Sequence, residues 1–317
     1  MSITDTEYLN LRVINYSGFA KGLRLLPVFV QKWLIKRVFD KIQQLTGPLE
    51  VVWSFDNSVF FNFDALPDEV LKISHIVDLN QDFEFEMACR TADICFGTTR
   101  YIIERQKKFN PNSHFIHHGL STSRVDNSKS IKLPGKNKVK ALYLGNLSMA
   151  YIDWEVIWQA ARTIDIDFIF IGSNQSIVDL SVNPLHTFKQ QVLSLENAYF
   201  LPSIGSAQIQ GHLKVADVLF VAYQQSHHKD QANPHKMMEY MSSGTPVITS
   251  YTEEYADMAD CVAMSRNNSD WPDLFRNVVE NLDQWNAKSM ITKRTDFAAN
   301  HTYDRQLDLI QEKINGI

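Results

Sequence analysis

The chain has 317 residues, 44% of them hydrophobic and 21% charged, enough apolar material for one large globular domain or two ordinary ones. Its net charge of −5 argues against a dedicated nucleic-acid binder, whose footprint would be basic. Three scattered cysteines (Cys89, Cys95, Cys261) form no C-x-x-C pair, which predicts a reducing compartment with neither a disulfide framework nor a zinc site. The opening residues, MSITDTEYLNLRVINYSG, lack the basic and apolar regions of a signal peptide. No apolar run reaches the roughly 18 residues of a membrane span, so a cytoplasmic location is expected.

Short β-branched runs alternate with longer helical patterns, the rhythm of an α/β protein with parallel sheets. In the first part the predicted strands are LRVINY (11–16), EVVWSF (50–55), KISHIVD (72–78), ADICFGT (92–98) and SHFIHH (113–118). Between the first two lies a basic amphipathic helix, predicted over 21–41, with Lys21, Arg24, Lys32, Lys36, Arg37 and Lys41 set against Asp40 alone. Two readings of it stay open. Its apolar face can pack on the sheet with the lysines in water, or the helix can lie on an anionic membrane surface.

A polar segment, STSRVDNSKSIKLPGKNK (121–138), interrupts the rhythm and reads as an interdomain linker. The pattern then restarts with VKALYLGN (139–146), a strand ending in a glycine turn, and DWEVIWQAARTI (153–164), an amphipathic helix. The strands DFIFIGS (167–173), AYFLPSI (198–204), DVLFVAY (217–223) and TPVITS (245–250) follow, with helices between them. This is a complete Rossmann-like set, whose ligand crevice belongs at the carboxyl ends of the strands. From about 271 to 315 the pattern is helical.

One stretch, QANPHKMMEYMSSGTPVITS (231–250), concentrates chemistry at a helix start. Asn233 suits an N-cap and Pro234 the first helical position, which places His235 and Lys236 in the first turn. A lysine at a helix N-terminus is unfavourable unless an anion binds there, and Glu239 on the same face can accept hydrogen bonds from a diol. Together they suit a nucleoside diphosphate with its ribose. The alternative is a Lys236–Glu239 pair on a wet surface.

This stretch resembles the C-terminal donor site of GT-B glycosyltransferases, whose members carry a run much like P-x-K-x-x-E-Y-x-x-x-G-x-P-V. Here the run is Pro234, Lys236, Glu239, Tyr240, Gly244, Pro246 and Val247. ADICFGTTRYIIERQKKFNPNSHFIHHGLS resembles the segment that ends the first domain at a hinge glycine, here Gly119. KALYLGNLSMAYIDWEVIWQAARTIDIDFIFIGS and NAYFLPSIGSAQIQGHLKVADVLFVAY resemble the opening and middle of the second domain, so the resemblance runs from about residue 50 to the end.

The resemblance implies two Rossmann-like domains: a short or incomplete acceptor-side domain (1–120) and a nucleotide-sugar domain (139–290). A C-terminal helix (291–317) would pack back across the cleft. It further implies Glu239 on the ribose hydroxyls, Lys236 on the phosphates, and the Gly145-Asn146 turn close to the diphosphate or sugar. Ser203 and Ile204, beside Pro202, would flank the base, and His235 would contact the donor. Tyr223 ends a strand at the same crevice, where a buried, hydrogen-bonded tyrosine is an equal reading.

Many retaining members carry two glutamates eight positions apart, but eight before Glu239 stands Gln231, which favours inversion. An inverting transfer needs a base for the acceptor hydroxyl, expected from the first domain. Asp78 is the first candidate because it terminates KISHIVD, and Asp82 the second; either carboxylate could instead cap the helix predicted near Phe83. His75 and Glu84 are further candidates in the same segment, His75 reading best as a core histidine, and Asp56 has a weaker claim. The histidines of HHKDQANPH (227–235) fit no metal spacing, so metal-independent transfer is expected.

The expected partners are a nucleotide diphosphate sugar and a saccharide or lipid-linked acceptor, with residues 21–41 available to an anionic membrane and no nucleic acid. Nothing before residue 50 resembles the usual GT-B opening. Two alternatives stand: a nucleotide-sugar epimerase-like enzyme, and a non-catalytic partner of an active glycosyltransferase, the latter supported by the short first domain and by Gln231.

Overall fold

The computed structural model describes the chain except for residues 7–9, 17–21, 56, 58, 79–83, 122–130, 174–183 and 230, together with the side chains of 184–186. The chain divides into two compact units, Met1–Ile116 and His117–Ile317.

The first unit opens with an antiparallel pair, β1 (Ser2–Asp5) and β2 (Arg12–Asn15), rather than with a strand of a parallel sheet. The run 11–16 therefore forms a strand, but in a different setting from the one its pattern suggested. Six residues separate the pair, too few for the crossover that parallel strands require. Helix α1 (Val28–Thr46) follows, beginning later and ending later than predicted. Pro27 sets the start, since its ring cannot sit inside a helix, and Gly47 with Pro48 sets the end.

A four-stranded sheet comes next: β3 (Val51–Ser54), β4 (Leu71–Ile76), β5 (Ile94–Gly97) and β6 (Ser113–Phe115), all parallel and in sequential order. Helices α2 (Phe85–Thr91) and α3 (Arg100–Gln106) connect its later strands. Ile35 and Phe39 of α1 join Val52, Phe61, Phe63 and Ile76 in one buried core. Cys89 and Cys95 are buried free thiols here, as is Cys261 in the second unit.

The second unit is built on β7 (Lys140–Leu144), β8 (Asp167–Ile171), β9 (Ala198–Leu201), β10 (Val218–Val221), β11 (Val247–Ser250) and β12 (Val262–Ser265). All six are parallel, in the sheet order β12-β11-β10-β7-β8-β9. The chain thus starts at the centre, builds outward to β9, crosses back, and builds outward to β12. This is the doubly wound order, and its switch point lies between β7 and β10.

β8, β10 and β11 are buried along their whole length, as strands covered on both faces must be. The covering helices include α4 (Trp154–Thr163), α5 (Pro184–Leu193), α6 (Ser206–Val215), α7 (Lys236–Ser243) and α8 (Trp271–Glu280). Three more helices end the chain: α9 (Leu282–Trp285), α10 (Lys288–Asn300) and α11 (Tyr303–Ile314). α10 packs on α7, where the buried Arg294 donates to the carbonyls of Gly244, Cys261 and Trp285. Within the predicted linker, Leu133 is buried in the second unit's core and the Asn137 N–H donates to the Asp167 carboxylate at 2.8 Å. Among the described residues no helix is long and apolar enough to cross a membrane.

Candidate functional site

The crevice is set by two glycines that let adjacent strand ends meet. β7 and β8 run in register to Leu144 and Ile171, and each is followed by a glycine. The Gly145 N–H donates to the Ile171 carbonyl at 2.9 Å. A Cβ at Gly172 would overlap the Gly145 carbonyl, so no side chain fits there. Gly145 itself has φ 153°, and a Cβ on it would stand 2.6 Å from Lys236 Nζ.

Helix α7 brings Lys236 to this point. The ammonium lies 3.9 Å from the centre of the Tyr143 ring, at the end of β7, and 5.5 Å from that of Tyr223, just beyond β10. Burial raises the pKa of both phenols well above the usual range. Lys236 therefore sits over the switch point on a cation–π platform. Burial pushes its pKa down to about 7, with Glu239 pulling the other way. Among the described residues Lys236 forms no salt bridge, so the wet Lys236–Glu239 pair does not occur. Burial raises the Glu239 pKa, opposed by His235 and then Lys236.

The helix start differs from the predicted one. α7 begins at Lys236 with His235 as its N-cap, and the Asn233 Oδ1 accepts the Tyr255 hydroxyl at 2.8 Å. The N–H groups of Met237 and Met238 already donate to the carbonyls of Pro234 and His235. Tight turns at the helix end thus consume donors that an ideal N-terminus would leave for an anion, which puts more weight on Lys236 Nζ. At the other end Gly244 adopts the left-handed conformation, φ 76°.

Tyr240 fixes the helix to the strand. Its buried hydroxyl accepts the Leu144 N–H at 2.8 Å. Tyr240→Phe leaves that N–H without a partner in a dry site, so a loss of about 1–3 kcal/mol in unfolding free energy is expected. Chemical denaturation of the two proteins measures it.

Gly145, Tyr223, His235, Lys236 and Glu239 are thus brought together. His235 is exposed, and its Nε2 lies 3.0 Å from the Tyr303 hydroxyl. Asn146 is exposed at the rim, its Oδ1 accepting the Ser148 N–H and the Ser173 hydroxyl. Ser203 and Ile204 follow β9 at the far edge of the sheet, away from the switch point; Ser203 is exposed and Ile204 half-buried.

Asp78 lies in the first unit, exposed in a bend two residues past β4. Asp82 and Asp56 lie outside the described residues. The helix predicted near Phe83 begins at Phe85, and Glu84 precedes it with φ 51°. His75 is buried between the rings of Trp53 and Phe96, a core position. In the histidine-rich loop His228 pairs with Asn268 Oδ1 at 3.1 Å while His235 meets Tyr303. Among the described residues no group of three or more His, Cys, Asp or Glu side chains is placed to hold a metal ion.

Four neighbours escaped the sequence reading: Tyr143, Gly172, His118 and Tyr303. His118 stands edge-on to His235 with ring centres 5.5 Å apart, and burial, then His235, lowers its pKa to about 4. Tyr143 is disguised by its apolar strand. Gly172 did carry a signal, because LYLG and FIFIG end alike and pair in register.

No protein-family model matches this sequence, and no curated protein matches it. Solved structures do resemble its fold. Sucrose-phosphate synthase from Thermosynechococcus elongatus superposes with a TM-score of 0.72 at 13% identity, covering 99% of this chain and 85% of that one. Anabaena HepE in complex with UDP and glucose gives 0.67 at 12% identity, over 92% of this chain and 84% of that one. The UDP-forming trehalose-phosphate synthase of Burkholderia xenovorans gives 0.64 at 7%, over 90% and 78%. With its doubly wound second unit, the four-stranded parallel sheet of its first unit and this likeness across nearly its whole length, the chain has the two-domain GT-B fold.

Proposed function

We propose that this chain is a glycosyltransferase that moves a sugar from a nucleotide diphosphate sugar to a hydroxyl of a saccharide or lipid-linked acceptor. Lys236 is the observation that carries the reading: a half-buried residue whose desolvated ammonium has no salt bridge among the described residues, at the switch point of a doubly wound sheet. A diphosphate is the partner such a cation lacks. Glu239, one turn on, accepts hydrogen bonds from the ribose diol. The Gly145-Asn146 backbone lies along the diphosphate, and Ser203 and Ile204 flank the base at greater distance. HepE, solved with UDP-glucose, supports a donor of this class.

In the proposed reaction the acceptor oxygen attacks the anomeric carbon as the bond to the diphosphate oxygen breaks. Asp78, or Asp82 in its place, takes the acceptor proton. Lys236 offsets the charge gathering on the leaving diphosphate, the role a divalent cation plays elsewhere, so transfer is metal-independent. Gln231 in place of a second glutamate favours inversion. A lipid-linked acceptor would put the chain at the cytoplasmic face of a membrane, as in polysaccharide synthesis.

A thermal-shift screen of UDP, ADP, GDP and their glucose conjugates tests the donor site. At a hundredfold excess over Kd the matching nucleotide adds about 2.7 kcal/mol of stability. Glu239→Ala should weaken its binding by roughly 1.5–3 kcal/mol, the worth of hydrogen bonds to a charged group. If no nucleotide raises the wild-type Tm, the donor reading is wrong. Nucleotide binding with no turnover over a broad acceptor panel would favour the non-catalytic partner. Sugar transfer that survives Asp78→Ala would remove Asp78 as the base.

A further inference from the structure

Helix α1 carries two apolar faces, and only one of them belongs to the core. Ile35 and Phe39 are fully buried in the first unit. At about 100° per residue, Trp33 falls on the opposite side and Phe29 on the flank beside it. They are 59% and 75% exposed, and Leu25, in the turn that leads into the helix, is 91% exposed. That turn is held in place, because the buried Gln31 side chain donates to the carbonyls of Arg24 and Leu26 at 3.1 and 2.9 Å.

Charge follows the outward face. Of the five cations over residues 22–41, Lys32 pairs with Asp64 at 3.0 Å and Arg24 donates to the Asn57 carbonyl, which leaves Lys36, Arg37 and Lys41 beside the exposed rings, with Asp40, in a chain whose net charge is −5. The Arg37 guanidinium lies 5.5 Å from the centre of the Trp33 ring. The Lys36–Asp40 pair is exposed on both sides and neutralises little in water. Leaving Phe and Trp in water on a packed helix has no structural benefit, and the cations beside them select an anionic, apolar-cored partner.

We propose that this face docks the chain on an anionic phospholipid bilayer. Leu25, Phe29 and Trp33 enter the boundary between headgroups and acyl chains, while Lys36, Arg37 and Lys41 meet lipid phosphates. The helix lies in the plane of the surface, since its buried face is committed to the first unit. A second copy of the chain is a poor occupant: a symmetric contact would press two such cationic faces together. The inference concerns the first unit alone and does not depend on the donor chemistry.

Sedimentation of the full chain with vesicles, without nucleotide, tests it. Binding is expected to vesicles of phosphatidylcholine with about a third phosphatidylglycerol, and not to phosphatidylcholine alone. The double variant Phe29→Ser/Trp33→Ser should bind more than about tenfold more weakly. Arg37→Gln/Lys41→Gln, which keeps the apolar residues, should lose roughly 25-fold at about fivefold per cation. Both pairs lie at or near the surface, so a wild-type Tm for each variant is the control. Failure to bind anionic vesicles, or binding unchanged in both folded variants, overturns the proposal. So does a wild-type dimer that Phe29→Ser/Trp33→Ser converts to monomer, which would make the face an interface between copies.

Discussion

Lys236→Met is expected to erase the nucleotide-induced rise in Tm and to weaken diphosphate binding by about 2–4 kcal/mol, roughly 30-fold to several hundredfold. Methionine keeps the length and apolar stem of lysine, so the tyrosine platform under it stays packed and only the charge is lost. The free protein should respond differently. Burial holds the Lys236 ammonium at about 7, below its ordinary 10.5. Between those two values the unfolded chain binds a proton that the folded chain does not, so this group makes stability rise with pH across that window. Below 7 both states are protonated, and the full cost of burying the charge is present. Lys236→Met should flatten this slope and be at least as stable as wild type at pH 6. Unfolding curves at pH 6, 8 and 9.5 measure it.

The same depressed pKa ties donor binding to a proton. A diphosphate over Lys236 stabilises the ammonium, so binding above pH 7 draws a proton from solution. Affinity then falls with rising pH, by up to about tenfold per unit. Calorimetry at pH 8 in two buffers of different ionisation enthalpy should give different heats for wild type and equal heats for Lys236→Met. Equal heats for wild-type protein that does bind would show that Lys236 is not at the phosphates.

Gly172→Ala is expected to cost about 3 kcal/mol or more, lowering Tm by roughly 6–12 °C for a domain of this size. Its new methyl would overlap the Gly145 carbonyl, a backbone group that cannot rotate aside. The strand ends must part, and with them the crevice. Gly145→Ala is the contrasting variant. Its methyl meets only the tip of Lys236, a flexible side chain, apart from the strain of a residue at φ 153°. Here the expected loss of stability is about 1 kcal/mol, while donor binding suffers because Lys236 is displaced. Urea titrations and nucleotide binding of the two variants give the comparison. A Gly172→Ala protein with wild-type stability would contradict the observed packing of the two strands.

Much of the fold was legible because parallel strands buried on both faces must be written as apolar runs. DFIFI, VLFV and VITS read directly as strands, and alternation with helical patterns indicated a doubly wound unit. VAMS (262–265) went unread as a strand, since four residues with Ala, Met and Ser carry little pattern outside the sheet that pairs them. The run 11–16 had the composition of a strand, but its partner was decided by the short connection to residues 2–5. Asn233 and Pro234 looked like a helix start, and a distant Tyr255 claimed the asparagine instead.

The helical spacing of Lys236 and Glu239 and the stop at Gly244 were written in the sequence by itself, because helix periodicity and a C-terminal glycine act over a few residues. What surrounds Lys236 was not. Tyr143 and Tyr223 reach it from two strands that are distant in sequence and adjacent only in the sheet, and Gly145 leaves the space above it open. Desolvation of the ammonium, and with it the lowered pKa, is a property of those long-range neighbours. The two faces of α1 divide in the same way: the sequence determined that Phe29, Trp33 and the lysines share a helix, and only packing decided which apolar residues the core would leave outside.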